Sequence, residues 1–119
     1  MAKKMDMRKG STTILILSLL SEDPMYGYQI SKELATRSGG VFDLKEGTLY
    51  PALHRMEKEG LLTSYWEVVK EGPSRKYYAI TDQGRDLLSD RSRDWGEFAR
   101  ALLRVLEGAK SSCRRWTLV

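Results

Sequence analysis

The stretch Gly47-Thr48-Leu49-Tyr50-Pro51-Ala52-Leu53-His54-Arg55-Met56-Glu57-Lys58-Glu59-Gly60-Leu61-Leu62 decides how the fold is read. Leu49, Leu53 and Met56 recur at the spacing of one helix face, and Gly60 stops the run. Pro51 restricts where this helix begins, because a helical proline is tolerated only where its missing N–H is not needed. Thr48 as N-cap puts Pro51 at the third helical position, among N–H groups that lack intrahelical partners anyway. The expected helix therefore runs from near Gly47 to Glu59 with its leucine–methionine stripe inward. Its opposite face presents Tyr50, Pro51, His54, Arg55 and Lys58.

Working outward, Tyr26 to Arg37 places Tyr26, Ile30 and Leu34 four residues apart, a short amphipathic helix after the break at Pro24. Ser38-Gly39-Gly40 closes it, since glycine takes the left-handed conformation of a helix C-terminus freely. Ser11 to Leu20 is apolar and β-branched enough for a strand, but Ser11 as N-cap favours a helix. On the other side, Leu62–Val69 and Arg75–Ile80 are rich in Tyr, Trp, Val and Thr. They flank Lys70-Glu71-Gly72-Pro73-Ser74 and read as a β-hairpin. Thr81 then caps a long helix expected to end near Gly108. Its apolar stripe holds Leu88, Trp95, Phe98, Ala99, Leu102, Leu103 and Leu106.

The 119 residues suffice for one domain with a real core, and 41% hydrophobic with 30% charged content excludes wholesale disorder. The longest apolar run, Ile14 to Leu20, is far below the roughly 18 residues of a membrane span. It also lacks the cleavage pattern of a secretory signal, so the expected location is the cytoplasm. A lone cysteine, Cys113, excludes an intramolecular disulfide and a multi-cysteine zinc site, and it reads as an incidental exposed thiol. A lone histidine, His54, stands with no nucleophile or orienting acid at a recognisable spacing. No catalytic residue, metal site or cofactor is therefore expected. The net charge of +4 sits at the ends, with +3 in residues 1–10 and +3 in 109–119 around a near-neutral body. Basic ends suit a polyanion partner such as nucleic acid, or solubility alone.

Three short helices, a hairpin and a further helix make the layout of a winged helix-turn-helix. The second and third helices form the helix-turn-helix, the third is the candidate reader, and the hairpin is the wing. A helix fits the major groove of B-DNA and offers its outer face to base edges and phosphates. The expected fold is thus mainly α with a small β-hairpin, an α+β chain. Its parts are a flexible basic arm (1–10), a winged helix-turn-helix domain (11–81), a C-terminal dimerisation helix (82–108) and a basic, disordered tail (109–119). Candidate DNA contacts are Lys9 in the arm, then Lys45, Thr48, Tyr50, Pro51, His54, Arg55 and Lys58 around the third helix. Arg75 and Lys76 join them from the wing. Lys45 and Arg55 suit phosphate contacts or a solvated surface better than base edges. Gly27 and Gly47 read as backbone-geometry residues, Tyr26 and Tyr77 as core aromatics, and Trp66 as packed at the wing root.

Four words of the sequence go further. Met25-Tyr26-Gly27-Tyr28-Gln29-Ile30, the run from Gly47 to Leu62, Gly72-Pro73-Ser74-Arg75-Lys76-Tyr77-Tyr78 and Ile80-Thr81-Asp82-Gln83-Gly84 together resemble the PadR family of bacterial transcriptional regulators over residues 8–108. The resemblance implies a homodimeric DNA-binding repressor, an inverted-repeat operator and a dimer interface on the last helix. Here that interface would comprise Leu88, Trp95, Phe98, Ala99, Leu102 and Leu106. The single C-terminal helix is similar to the short-tailed branch, some members of which bind planar aromatic effectors between subunits against a tryptophan. Trp95, in Arg93-Asp94-Trp95-Gly96-Glu97, occupies the corresponding place. A carboxylate that a drug-binding relative carries one turn later is absent, with Ala99 standing there. The rival readings are a winged-helix protein-interaction module without DNA binding and a small enzyme. The first needs a neutral or acidic third-helix face, and the second needs a constellation this chain lacks.

Overall fold

The structure, a computed structural model, describes the backbone of residues 7–68 and 70–117 and the side chains of 11–68 and 70–109. In chain order the elements are α1 (Met7–Leu20), β1 (Met25–Tyr26), α2 (Gly27–Arg37), α3 (Glu46–Lys58), β2 (Leu62–Glu67), β3 (Arg75–Ile80) and α4 (Asp82–Thr117). The described residues thus form an α+β fold of four helices and one antiparallel sheet of order β1-β3-β2. The chain divides after Leu88 into two compact units.

The first unit owns the core. Ile16, Leu17, Leu19 and Leu20 of α1 meet Ile30 and Leu34 of α2, the α3 stripe, and Leu62 and Tyr78 of the sheet. The α3 stripe is Leu49, Ala52, Leu53 and Met56, all buried. Burying each large apolar side chain is worth about 1.5–3 kcal/mol, so this stripe dictates which face of α3 looks outward. Leu87 and Leu88, at the start of α4, are partly buried and pack against this core. Arg37, at the end of α2, pairs with Glu33 and Glu22 and so ties α2 to the turn after α1. Its guanidinium holds the Glu22 carboxyl below the usual carboxylate range, and its own pKa is raised by the two acids.

Several boundaries differ from the sequence expectation. Helix α1 starts at Met7, so Ser11 lies inside it rather than capping it. Met7, Arg8 and Lys9 are good helix formers that extend the helix backwards. Residues 1–6 and the side chain of Lys9 lie outside the described residues. Strand β1 was absent from the expectation, which took Tyr26 as helical. Met25 and Tyr26 pair with Tyr78 and Tyr77 of β3, so the hairpin is in fact part of a three-stranded sheet. The Tyr26 N–H donates to Gln29 Oε1 at 3.1 Å, making the last residue of β1 also the first of the turn into α2.

Helix α3 is capped by Lys45, not Thr48; the Lys45 carbonyl accepts the N–H groups of Thr48 and Leu49 at 2.9 and 2.8 Å. Glu46 in the first turn suits the positive helix end. Pro51 therefore lies inside the helix and gives no N–H to the Gly47 carbonyl four residues back. Both residues are exposed. Thr81 does cap α4, as expected: its Oγ1 accepts the Gly84 N–H at 3.0 Å and donates to the Gly60 carbonyl at 2.6 Å. Helix α4 continues through Gly108 to Thr117. One helical glycine costs about 1 kcal/mol against alanine, too little to end a helix by itself. The helical backbone thus enters the stretch read as a disordered tail; the side chains there, Cys113 among them, lie outside the described residues.

In the second unit, Trp95 is half-buried and meets Phe98 edge to face at 6.0 Å. Phe98, Ala99, Leu102, Leu103, Val105 and Leu106 are exposed along α4.

Candidate nucleic-acid interface

The buried stripe of α3 fixes the rest of that helix by geometry. Thr48, Tyr50, Pro51, His54, Arg55 and Lys58 are all exposed, as the 3.6-residue period requires once Leu49, Ala52, Leu53 and Met56 face the core. Tyr50, His54 and Lys58 follow each other at four-residue steps along one line of that face. Tyr50 is held by α2: a Cβ built on Gly27 would lie 2.6 Å from the Tyr50 hydroxyl oxygen and 2.9 Å from two ring carbons. Gly27 is thus small because the tyrosine ring lies on it. Gly47 has open space where a side chain would be and no positive φ, and nothing in the structure explains it.

An open groove of about 400 Å³ separates α3 from the wing. Tyr50 and His54 line it from α3, Trp66 from β2, Ser74 from the loop, and Arg75 and Lys76 from β3. Four of the expected contacts, Tyr50, His54, Arg75 and Lys76, are therefore brought to one place. The lining offers N–H and O–H donors, two cations and aromatic faces, and no carboxylate. Such a lining suits an anionic backbone and the edges or faces of bases.

The cations differ in what already holds them. The Arg75 guanidinium lies over the Tyr26 ring at 4.7 Å, and the Lys76 ammonium lies over Tyr78 at 5.5 Å and 3.9 Å from a Glu57 oxygen. Arg55 turns away from the groove: it pairs with Glu59 at 3.1 Å and donates to Thr13 Oγ1 at 3.2 Å, tying α3 to α1. Lys45 pairs with Asp43 at 3.1 Å. Among the described residues no ion pair holds Lys58. Thr48, Pro51, Arg55, Lys58 and Lys45 do not line the groove, although all five are exposed.

Three aromatic assignments change. Trp66 is not packed at the wing root; it is 64% exposed on the groove wall. Tyr26 and Tyr77 are not core residues. They form a row with Tyr65 across the outer face of the sheet, Tyr77 stacking on Tyr65 at 5.7 Å and meeting Tyr26 edge-on at 5.5 Å. The core tyrosine is Tyr78, because successive strand residues point to opposite faces. That alternation, counted inward from buried Leu62, places Ser64 and Trp66 on the α3 side and so gives the signal by which Trp66 could have been found.

No helix among the described residues is long and apolar enough to cross a membrane. The profile of the transcriptional regulator PadR-like family matches residues 16–90. A transcriptional regulator of Mycobacterium tuberculosis is 35% identical over 98 residues, spanning 82% of this chain and 88% of that protein. Among solved structures, a PadR family transcription regulator from Clostridium difficile is 38% identical with a TM-score of 0.69, covering 80% of this chain and 97% of its own. A PadR-like transcriptional regulator from Bacillus cereus is 34% identical with a TM-score of 0.73, covering 86% and 97%. This protein therefore belongs to the PadR-like family of transcriptional regulators.

Proposed function

We propose that this chain is a homodimeric, DNA-binding transcriptional repressor, without catalytic activity, working in the cytoplasm on an inverted-repeat operator. The observation that carries this reading is the groove: the outward residues Tyr50 and His54 of α3 converge there with Arg75 and Lys76 of the wing. Phosphate contacts from the wing and the arm supply affinity, and the outer face of α3 supplies specificity. Two-fold symmetry supports the operator form, because a dimer presents two identical reading heads to two half-sites. The exposed apolar stripe of α4, from Phe98 to Leu106, supports pairing with a second copy, since so much apolar surface in one line needs a cover. Trp95 beside Phe98 supports a planar aromatic effector held between subunits by stacking and area burial. Such an effector regulates only if it binds the DNA-competent and released arrangements unequally.

A gel-shift titration with the protein's own upstream region, against random duplex as control, tests the reading. Preferential retardation of the upstream fragment is the expected result. Absence of any shift favours a winged-helix protein-interaction module instead.

A further inference from the structure

Glu57 is an electrostatically awkward residue. It stands in the last turn of α3, beside the negative end of the helix, and its partner Lys76 lines a groove whose groups suit phosphate. A carboxylate there opposes both the helix dipole and an approaching polyanion. Two wing residues answer it. The Ser64 hydroxyl of β2 donates to Glu57 Oε2, and the Lys76 ammonium of β3 lies 3.9 Å from Glu57 Oε1. Ser64 faces Tyr78 across the ladder and Trp66 faces Lys76, so Ser64 and Lys76 are diagonal neighbours on one side of the hairpin. Glu57 sits over that diagonal, fixed by one partner and facing the other. Both members of the ion pair are about 30% exposed, 30% for Lys76 and 32% for Glu57, so each is within reach of solvent and of a ligand.

We infer that Glu57 is a positioning residue that holds the wing to α3 and competes with DNA phosphate for Lys76. The inference rests on the DNA-binding reading above. In the free protein Lys76 is partly neutralised, which lowers its attraction to any duplex alike. On a correctly seated duplex, phosphate replaces Glu57 as its counter-ion. Glu57 thereby weakens sequence-independent binding more than operator binding, whose α3 contacts do not pass through Lys76.

The test is a salt titration of binding to a random-sequence duplex by the parent, Glu57→Gln, Lys76→Ala and the double variant, with the parent also titrated on its own upstream region. Gln keeps an acceptor for Ser64 and removes only the charge. Glu57→Gln should tighten random-duplex binding about two- to fivefold per protomer, the scale of an exposed ion pair. It should also steepen the plot of log K against log salt by up to about 0.9 per protomer, one more phosphate neutralised. In the Lys76→Ala background the same substitution should leave the slope unchanged and give a clearly smaller gain in affinity, only the direct repulsion being relieved. Glu57→Met, which keeps the stem and removes all polarity, repeats the measurement should the amide unsettle the wing. An unchanged affinity and slope, weaker binding at an unchanged slope, or an equal gain without Lys76 would each overturn the inference. A parent that binds neither duplex would instead remove the DNA-binding reading itself.

Discussion

Tyr50 is constrained from one side and open on the other. Its ring rests on the backbone of Gly27 in α2, while the residue lines the groove and remains 40% exposed. Gly27 is helical without a positive φ, so alanine fits its backbone; only the far end of a flexible side chain stands in the way. Gly27→Ala should therefore leave stability within about 1 kcal/mol of the parent, helix propensity offsetting the displaced ring. It should weaken promoter binding in the same direction as loss of Tyr50. Thermal unfolding and a binding isotherm on one preparation check both, and an unchanged isotherm means the ring's position does not matter. The outward residues of α3 were legible because a helical period fixes both faces once one is apolar. Glu57 and Trp66 were not. The partners of Glu57 lie on strands 7 and 19 residues away in sequence, whereas Trp66 was misjudged because strand alternation gives its face but not its exposure at the far end of β2.

At the scale of elements, the joint between wing and α4 is the most tightly specified. Thr81 caps α4 and bonds the Gly60 carbonyl, while its own N–H donates to the Leu61 carbonyl at 3.1 Å. Gly84, one turn in, leaves no room: a Cβ there would land on the Leu61 carbonyl oxygen and 2.8 Å from Ile80 Cγ1. Gly84→Ala should thus destabilise by about 1–3 kcal/mol or more despite its better helix propensity, because backbone and strand cannot yield as a surface side chain can. A shift of the urea midpoint at unchanged slope is the expected readout, and a stabilised variant would show that the joint is loose. Helix α2, the hairpin and the Thr81 cap could be read from sequence, since their signals are local. Strand β1 could not, because two residues carry no period and exist as a strand only through Tyr77 and Tyr78. The cap of α3 was misplaced, at Thr48 in place of Lys45, for a similar reason. Pro51 argued for a cap only three residues before it, whereas its exposed position lets the helix be capped at Lys45 and run through it.

For the whole molecule, two predictions separate the proposed dimer from the proposed effector. Trp95→Ala removes the indole but leaves Phe98, Leu102, Leu103 and Leu106 on α4, so sedimentation should still give a dimer. Planar aromatics such as flavins should quench the parent's tryptophan fluorescence saturably and fail to do so in this variant, whose remaining signal is the background. Equal quenching in both proteins makes Trp95 a packing residue only. The central claim is that the outer face of α3 reads DNA sequence, and the ratio of affinities for promoter and random duplex tests it most directly. That ratio should be measured for the parent, for Tyr50→Ala, and for Tyr50→Phe as the variant that keeps the ring on Gly27. With circular dichroism unchanged, Tyr50→Ala should lower promoter affinity by at least about tenfold and collapse the ratio, the scale of one lost specific contact. A ratio that survives Tyr50→Ala intact would contradict the account and place sequence reading on another face.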